Sequence, residues 1–150
     1  IRSGKGDKLY KIYKFRTMVK DAEKDGHAIP AEISDTRVTR TGVLLRRTHI
    51  DEVPQFWNVL VGEMSVVGPR AERPELILKY QKEIPFYRAR LLVKPGITGW
   101  AQVNYGYSAT VEEVAIKLEY DLYYIKHRNM LMDLLILLRT FTQVLAFRGR

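Results

Sequence analysis

Pro54, two residues after the adjacent acids Asp51 and Glu52, fixes where a helix can begin. Its locked φ and missing N–H are tolerated in a first helical turn and not further in. Val53, Phe56, Trp57 and Leu60 then recur at i, i+3, i+4 and i+7, a stripe predicted to face a core. Gly62 follows as the C′ stop. Asp51 falls at or next to the N-cap and Glu52 in the first turn, just after Arg46 and Arg47. Asp is a common cap. One cap needs only one acid, so the second acid and the flanking arginines mark a charged site.

A chain of 150 residues with 46% apolar residues predicts one domain with its own core. It begins with Ile, which predicts a piece of a longer protein. Cysteine is absent, excluding disulfide and thiolate chemistry. Arg and Lys number 25 against 17 acids, a formal charge of +8. That balance favours nucleic acid, an anionic membrane surface or phosphorylated substrates, without choosing among them. No uncharged apolar run is long enough for a transmembrane helix.

The chain reads as α+β: helix-dominated, with short strands expected at 9–18, 64–67 and 100–103. Leu9 to Met18 is rich in β-formers and carries Lys14 and Arg16 as candidate phosphate ligands. Residues 19–42 are polar, with a brief helical start at Val19 to Lys24, then a surface loop holding His27. A short strand into Gly68-Pro69 leaves Arg70 at an element's end, where ligand-binding residues collect. A helix opening at Pro74 must stop before Pro85. Phe86 to Val93 is a second short helical piece, with Arg88 and Arg90 expected to be exposed. Thr110 and Glu113 form a capping box for a long helix buried along Val111, Val114, Ala115, Leu118, Leu122 and Ile125. Lys117 and Asp121 stand i, i+4 on it and can pair. The last helix, Met130 to Phe147, is apolar nearly all round, which fits either a core or a membrane interface. Arg139, Arg148 and Arg150 near its end suit an anionic leaflet.

Several motifs stand in series: Lys11-Ile12-Tyr13-Lys14-Phe15-Arg16-Thr17-Met18, Arg46 with Asp51-Glu52-Val53-Pro54-Gln55, and Ser65-Val66-Val67-Gly68-Pro69-Arg70. Lys94-Pro95-Gly96-Ile97-Thr98-Gly99-Trp100 and Lys117-Leu118-Glu119-Tyr120-Asp121-Leu122-Tyr123-Tyr124 follow in order. Together they resemble the bacterial sugar transferases, monotopic phosphoglycosyl transferases, over nearly the whole chain. The resemblance implies transfer of a sugar-1-phosphate from a UDP-sugar to undecaprenyl phosphate, with Mg2+ and release of UMP. It implies Asp51 as the nucleophile of a covalent phosphosugar intermediate and Glu52 as the metal-binding acid. Lys14, Arg46 and Arg70 become partners of phosphates or of the acid pair, and Asp121 a further polar site residue. It also implies amphipathic helices at the cytoplasmic face of the bacterial inner membrane, and a re-entrant membrane helix ahead of residue 1. The Tyr105-Gly106-Tyr107 stretch resembles members from exopolysaccharide clusters and departs from an Arg-containing loop in other members, leaving nucleotide contacts and the sugar unassigned.

Two other readings compete. A nucleic-acid-binding domain follows from the charge and the basic, aromatic N-terminus, whereas the transferase reading expects no nucleic-acid partner. A non-catalytic membrane-surface scaffold shares the apolar C-terminal helix and differs only at the acid pair. A homo-oligomer is compatible with each.

Overall fold

Where two backbones must touch, the chain places glycine. A Cβ on Gly42 would lie 2.0 Å from the Thr17 carbonyl oxygen, and one on Gly96 would lie 2.1 Å from the Gly68 nitrogen. The first approach seats helix α1 (Arg40–Arg47) on the segment around Thr17, capped by the Thr39 side chain bonded to the Gly42 N–H. The second joins strands β3 (Ser65–Val67) and β4 (Gly96–Thr98), which run parallel with Ser65 opposite Gly96 and Val67 opposite Thr98. The computed structural model describes residues 1–20, 22, 35–106 and 110–146. Most of the polar loop with its helical start and His27, the Tyr107 part of the aromatic turn, and the chain end with Phe147, Arg148 and Arg150 lie outside those residues.

The architecture is α+β and helix-dominated. A second small sheet pairs β1 (Arg2–Ser3) antiparallel with β2 (Leu9–Tyr10). Between β3 and β4 the chain makes α3 (Pro74–Tyr80) and a 3-10 segment, Tyr87–Leu92. Helices α4 (Trp100–Asn104), α5 (Val111–His127) and α6 (Met130–Leu145) complete it. The capping box of α5 is present, with the Thr110 hydroxyl accepting from Glu113 N–H and the Glu113 carboxylate accepting from Thr110 N–H. Such a cap contributes about 1 kcal/mol. One core joins Ile77, Ile84 and Tyr87 to Val114 and Leu118 of α5; another joins Val67, Tyr124 and Ile136. A third gathers Tyr10, Met64 and Ala71 under the first sheet.

Four local expectations are corrected. The strand expected over 9–18 ends at Tyr10; of the remainder, among the described residues, Met18 alone bridges to another segment, antiparallel to Val38. That stretch instead bonds to a side chain and a turn: Tyr13 N–H to Asn58 Oδ1 at 3.1 Å, Phe15 N–H to the Asp51 carbonyl at 3.0 Å. Residues 100–103 are helical rather than a strand, since packing of Trp100 and Val103 in the Val67–Tyr124–Ile136 core overrides their β preference. Arg90 is buried, not exposed.

The stripe on α2 (Gln55–Leu60) faces the opposite way from that expected. Phe56, Trp57 and Leu60 are exposed, Leu60 by 78%, whereas Gln55 and Asn58 are buried. Periodicity names a face but not its direction. Here the inward face is polar because Asn58 is a hub: its Nδ2 donates to the Lys11 carbonyl and the Glu63 carboxylate, both at 2.7 Å. Helix α6 behaves likewise. Ile136 is its one fully buried residue, while Leu131, Leu134, Leu138, Phe141 and Leu145, spaced by three and four, are exposed. No helix among the described residues is long and apolar enough to cross a membrane.

Gly96→Ala is expected to destabilise the fold by about 3 kcal/mol, the upper range for overpacking against backbone. Gly106→Ala, which meets nothing within 4 Å, should change stability by less than about 0.5 kcal/mol. Urea unfolding midpoints of the two variants check both values.

Candidate active site

Asp51 and Glu52 lie in a 3-10 turn, Ile50–Glu52, between α1 and α2. The turn is entered through His49 in the left-handed region, φ 55°. For a residue other than glycine that conformation costs of order 1–3 kcal/mol and persists where the surroundings dictate it. Here the end of α1 and the turn dictate it: His49 N–H bonds to the Arg46 carbonyl, and the His49 carbonyl accepts from Glu52 N–H. Both acids are thereby turned inward and are only 8% exposed.

Glu52 is clamped. Lys14 Nζ at 2.6 Å and Arg70 Nη2 at 2.9 Å both donate to its Oε1. Lys14 arrives from the extended segment that Asn58 and the Asp51 carbonyl hold on either side of it, at Tyr13 and Phe15. Arg70 arrives from the Gly-Pro turn after β3, its backbone bridged to Gly96. Burial alone would push the Glu52 carboxyl up, but Arg70 and Lys14 outweigh it and hold the group at about 2. Burial also depresses the Lys14 amine, reinforced by Arg70 and opposed by Glu52.

Asp51 is the contrary case. None of the described residues hydrogen-bonds its carboxylate, and it does not cap its own turn. Burial first, then repulsion from Glu52, raises its pKa above 3.8, while Lys14, His49 and Arg46 pull it back. The environments of the two neighbouring carboxylates therefore push them in opposite directions, one locked into ion pairs and the other without a hydrogen bond from the described residues.

Of the other predicted site residues, Arg46 stands close enough to lower the Asp51 carboxyl and anchors its own Nε on Thr17 Oγ1 at 2.9 Å. Asp121 is brought to the same region but turned elsewhere: its Oδ2 pairs with Arg90 Nη2 at 2.9 Å, both groups buried. Burial raises the Asp121 carboxyl, against the opposing pull first of Arg90 and then of Lys117. Arg139 covers the Trp100 ring at 5.0 Å and bonds to Asn104. Two contributors escaped the sequence reading, Asn58 and Arg90. Asn58 sits in the middle of an apolar stripe, where the signal was a lone amide; Arg90 carried none.

The donor set is compatible with Mg2+. Both cations occupy Oε1 of Glu52, which leaves Oε2 as a hard oxygen. No group of three or more His, Cys, Asp or Glu among the described residues forms a cage. Mg2+ commonly takes one or two carboxylates and completes its shell with substrate phosphates and water.

The chain matches the family described as Bacterial sugar transferase over residues 1–147. It is 46% identical over 148 residues to a UDP-N-acetylgalactosamine-undecaprenyl-phosphate N-acetylgalactosaminephosphotransferase of Aeromonas hydrophila, covering 99% of this chain and 35% of that protein. It is 44% identical over 142 residues to a UDP-glucose:undecaprenyl-phosphate glucose-1-phosphate transferase of Klebsiella pneumoniae, 93% of this chain and 30% of that one. An exopolysaccharide production protein of Rhizobium leguminosarum bv. phaseoli is 37% identical over 154 residues, 99% of this chain and 76% of that one. The chain spans about a third of the length of the first two relatives.

The adjacent acids should have opposite effects on stability. A carboxyl held at about 2 instead of 4.5 contributes roughly 3 kcal/mol. That contribution is complete above pH 4.5 and disappears as pH falls through about 2. Glu52→Gln should therefore lower stability at pH 7 by roughly 3 kcal/mol and flatten the acid limb of the stability curve. Asp51, raised in the fold, is destabilising when ionised, so Asp51→Asn should raise the urea midpoint at pH 7. Parallel unfolding curves of the two variants across pH 2 to 7 decide it.

Proposed function

This chain belongs to the bacterial sugar transferase family, and from that premise we propose that it moves a sugar-1-phosphate from a UDP-sugar to undecaprenyl phosphate. The observation that carries this reading is the divided acid pair: a buried Asp51 carboxylate without a hydrogen bond beside a Glu52 held by Lys14 and Arg70. A carboxylate is an established covalent nucleophile toward phosphoryl groups. In the first step an Asp51 oxygen attacks the phosphorus that carries the sugar. An Asp–O–P bond forms, the bridging P–O bond breaks, and its electron pair leaves with UMP. In the second, an oxygen of undecaprenyl phosphate attacks the same phosphorus and Asp51 departs as a free carboxylate.

Glu52, through Oε2, would hold Mg2+, which supplies charge neutralisation on the diphosphate when bound. Lys14 and Arg70 fix Glu52 and present positive charge to the phosphates; Arg46 adds a third cation on the Asp51 side. Among relatives, the A. hydrophila protein's name specifies N-acetylgalactosamine and the K. pneumoniae protein's name glucose, so a UDP-hexose is the substrate class here. A role in exopolysaccharide or glycoconjugate assembly follows from a polyprenyl-linked product.

The exposed stripes of α2 and α6 supply the second half of the proposal. Phe56, Trp57, Leu60, Leu134, Leu138 and Phe141 lie open on two helices that both pack on β3. Apolar surface of this kind marks an interaction face, and with a formal charge of +8 its partner is an anionic bilayer, the cytoplasmic leaflet of the inner membrane. That is where a polyprenyl phosphate resides.

In the full-length protein, a panel of UDP-sugars including UDP-glucose and UDP-N-acetylgalactosamine should yield UMP and a sugar-phosphate adduct on Asp51. Asp51→Asn should remove the adduct and lower UMP release at least about a thousandfold. An adduct that survives in Asp51→Asn, or none from any UDP-sugar with Asp51 intact, would sink the nucleophile assignment. A non-catalytic scaffold would tolerate both Asp51→Asn and Glu52→Gln.

For the membrane face, Trp57→Glu with Leu134→Glu should weaken sedimentation of residues 1–150 with anionic phospholipid vesicles. Each buried side chain of that size contributes about 1.5–3 kcal/mol. The expected loss is more than about tenfold, with the far-ultraviolet circular dichroism unchanged.

A further inference from the structure

We propose that Arg90 and Asp121 form a buried positioning pair that sets where Arg70 meets Glu52. The inference rests on the transferase reading and assigns roles within that site to two residues that do not touch the acid pair.

Arg90 lies in the 3-10 segment Tyr87–Leu92 and Asp121 in the middle of α5, exposed by 9% and 3%. One guanidinium reaches four groups. Nη2 pairs with Asp121 Oδ2 at 2.9 Å and donates to the Arg70 carbonyl at 3.0 Å. Nη1 donates to the Tyr87 hydroxyl at 2.7 Å and stands 3.8 Å from Glu72 Oε2. Against the desolvation that burial imposes, Asp121, Tyr87 and Glu72 keep the guanidinium protonated. A planar fork can hold such acceptors at fixed angles; an ammonium cannot.

The bond to the Arg70 carbonyl is what turns a structural pair into a positioning one. The Arg70 side chain is 47% exposed, so packing does not hold it. Its placement depends on the Glu52 ion pair and on its backbone, tied on one side to Gly96 and on the other to Arg90. Arg70, Glu72, Arg90, Gln102, Lys117 and Asp121 also share the lining of one cavity of about 40 Å³. A buried ion pair contributes little net stability compared with apolar packing of the same volume. A displacement of about 1 Å in a site built on positioning, by contrast, can slow a reaction of order a hundredfold.

The test is a double-mutant cycle on the full-length protein, reading kcat and KM for UMP release. Arg90→Lys keeps the charge beside Asp121 but cannot also reach the Arg70 carbonyl and Tyr87. It should lower kcat about tenfold to a hundredfold and change KM for the UDP-sugar less than about threefold. In an Arg70→Ala background, Arg90→Lys should produce no further loss, because its effect runs through Arg70. Arg90→Met with Asp121→Leu removes both charges without leaving either unpaired, and repeats the measurement should Arg90→Lys fail to fold. A kcat within twofold of the unsubstituted protein, or a loss that multiplies with that of Arg70→Ala, overturns the proposal. Absence of UMP release from the unsubstituted protein would instead count against the transferase reading.

Discussion

The site depends on one carboxylate oxygen. Oε1 of Glu52 receives Lys14 from an extended segment near the N-terminus and Arg70 from the turn after β3, so one group ties three distant stretches together. Removing Glu52 strips both cations of their shared partner, whereas removing one cation leaves the buried carboxylate with the other alone. Much of the local structure serves this convergence. Asn58, 0% exposed, satisfies its side chain wholly within the protein and holds Lys11 and Tyr13 so that Lys14 is delivered at the right height. Gly96 lets β4 approach Gly68 and thereby places the turn that carries Arg70. With Glu52 committed, Asp51 is the acid whose carboxylate none of the described residues hydrogen-bonds, as the proposed nucleophile requires.

Helix α2 has two unlike faces. Its inward face is polar and organises the site; its outward face is apolar and open. The apolar surface begins at Val53, the residue directly after Glu52, and Val53 is itself exposed. A bilayer seated on that surface would lie immediately beside the acid pair. Phosphate groups of lipids sit at the level of the headgroups, so such seating would bring the proposed acceptor phosphate to the site. An ordinary amphipathic helix, apolar side inward, would bury Trp57 and Phe56 and lose this adjacency.

Features written in a few neighbouring residues were legible. The Thr110–Glu113 capping box, the Gly62 stop with φ 84°, and the buried stripe of Val114 and Leu118 each depend on local geometry and appear as read. Asp51 and Glu52 were legible as a pair because two acids exceed what a cap requires. The direction of the α2 stripe was not, since the same spacing serves a core or a lipid surface. Nor was the burial of Arg90: an arginine within a basic stretch looks solvated until a second element brings Asp121 from 31 positions away. Trp100–Asn104 misled for a related reason, β-formers taking helical geometry because their packing against α6 decides it.

Charge balance bears on the proposed substrate. Lys14 and Arg70 oppose Asp51 and Glu52, two cations against two carboxylates, so the inner site is formally neutral. A nucleoside diphosphate sugar brings further negative charge, and desolvated charge of one sign is costly in a buried site. Neutrality therefore cannot be the state in which such a substrate is held. Arg46, anchored on Thr17 and acting on Asp51 from the α1 side, supplies one extra positive charge. A divalent cation on Glu52 Oε2 would supply two more at the one carboxylate oxygen the lysine and arginine leave open. The proposed division of roles fits the same geometry: an acid that would hold a cation must stay fixed and ionised, as Glu52 is, whereas an acid that would attack must be able to give up its position, as the unclamped Asp51 can.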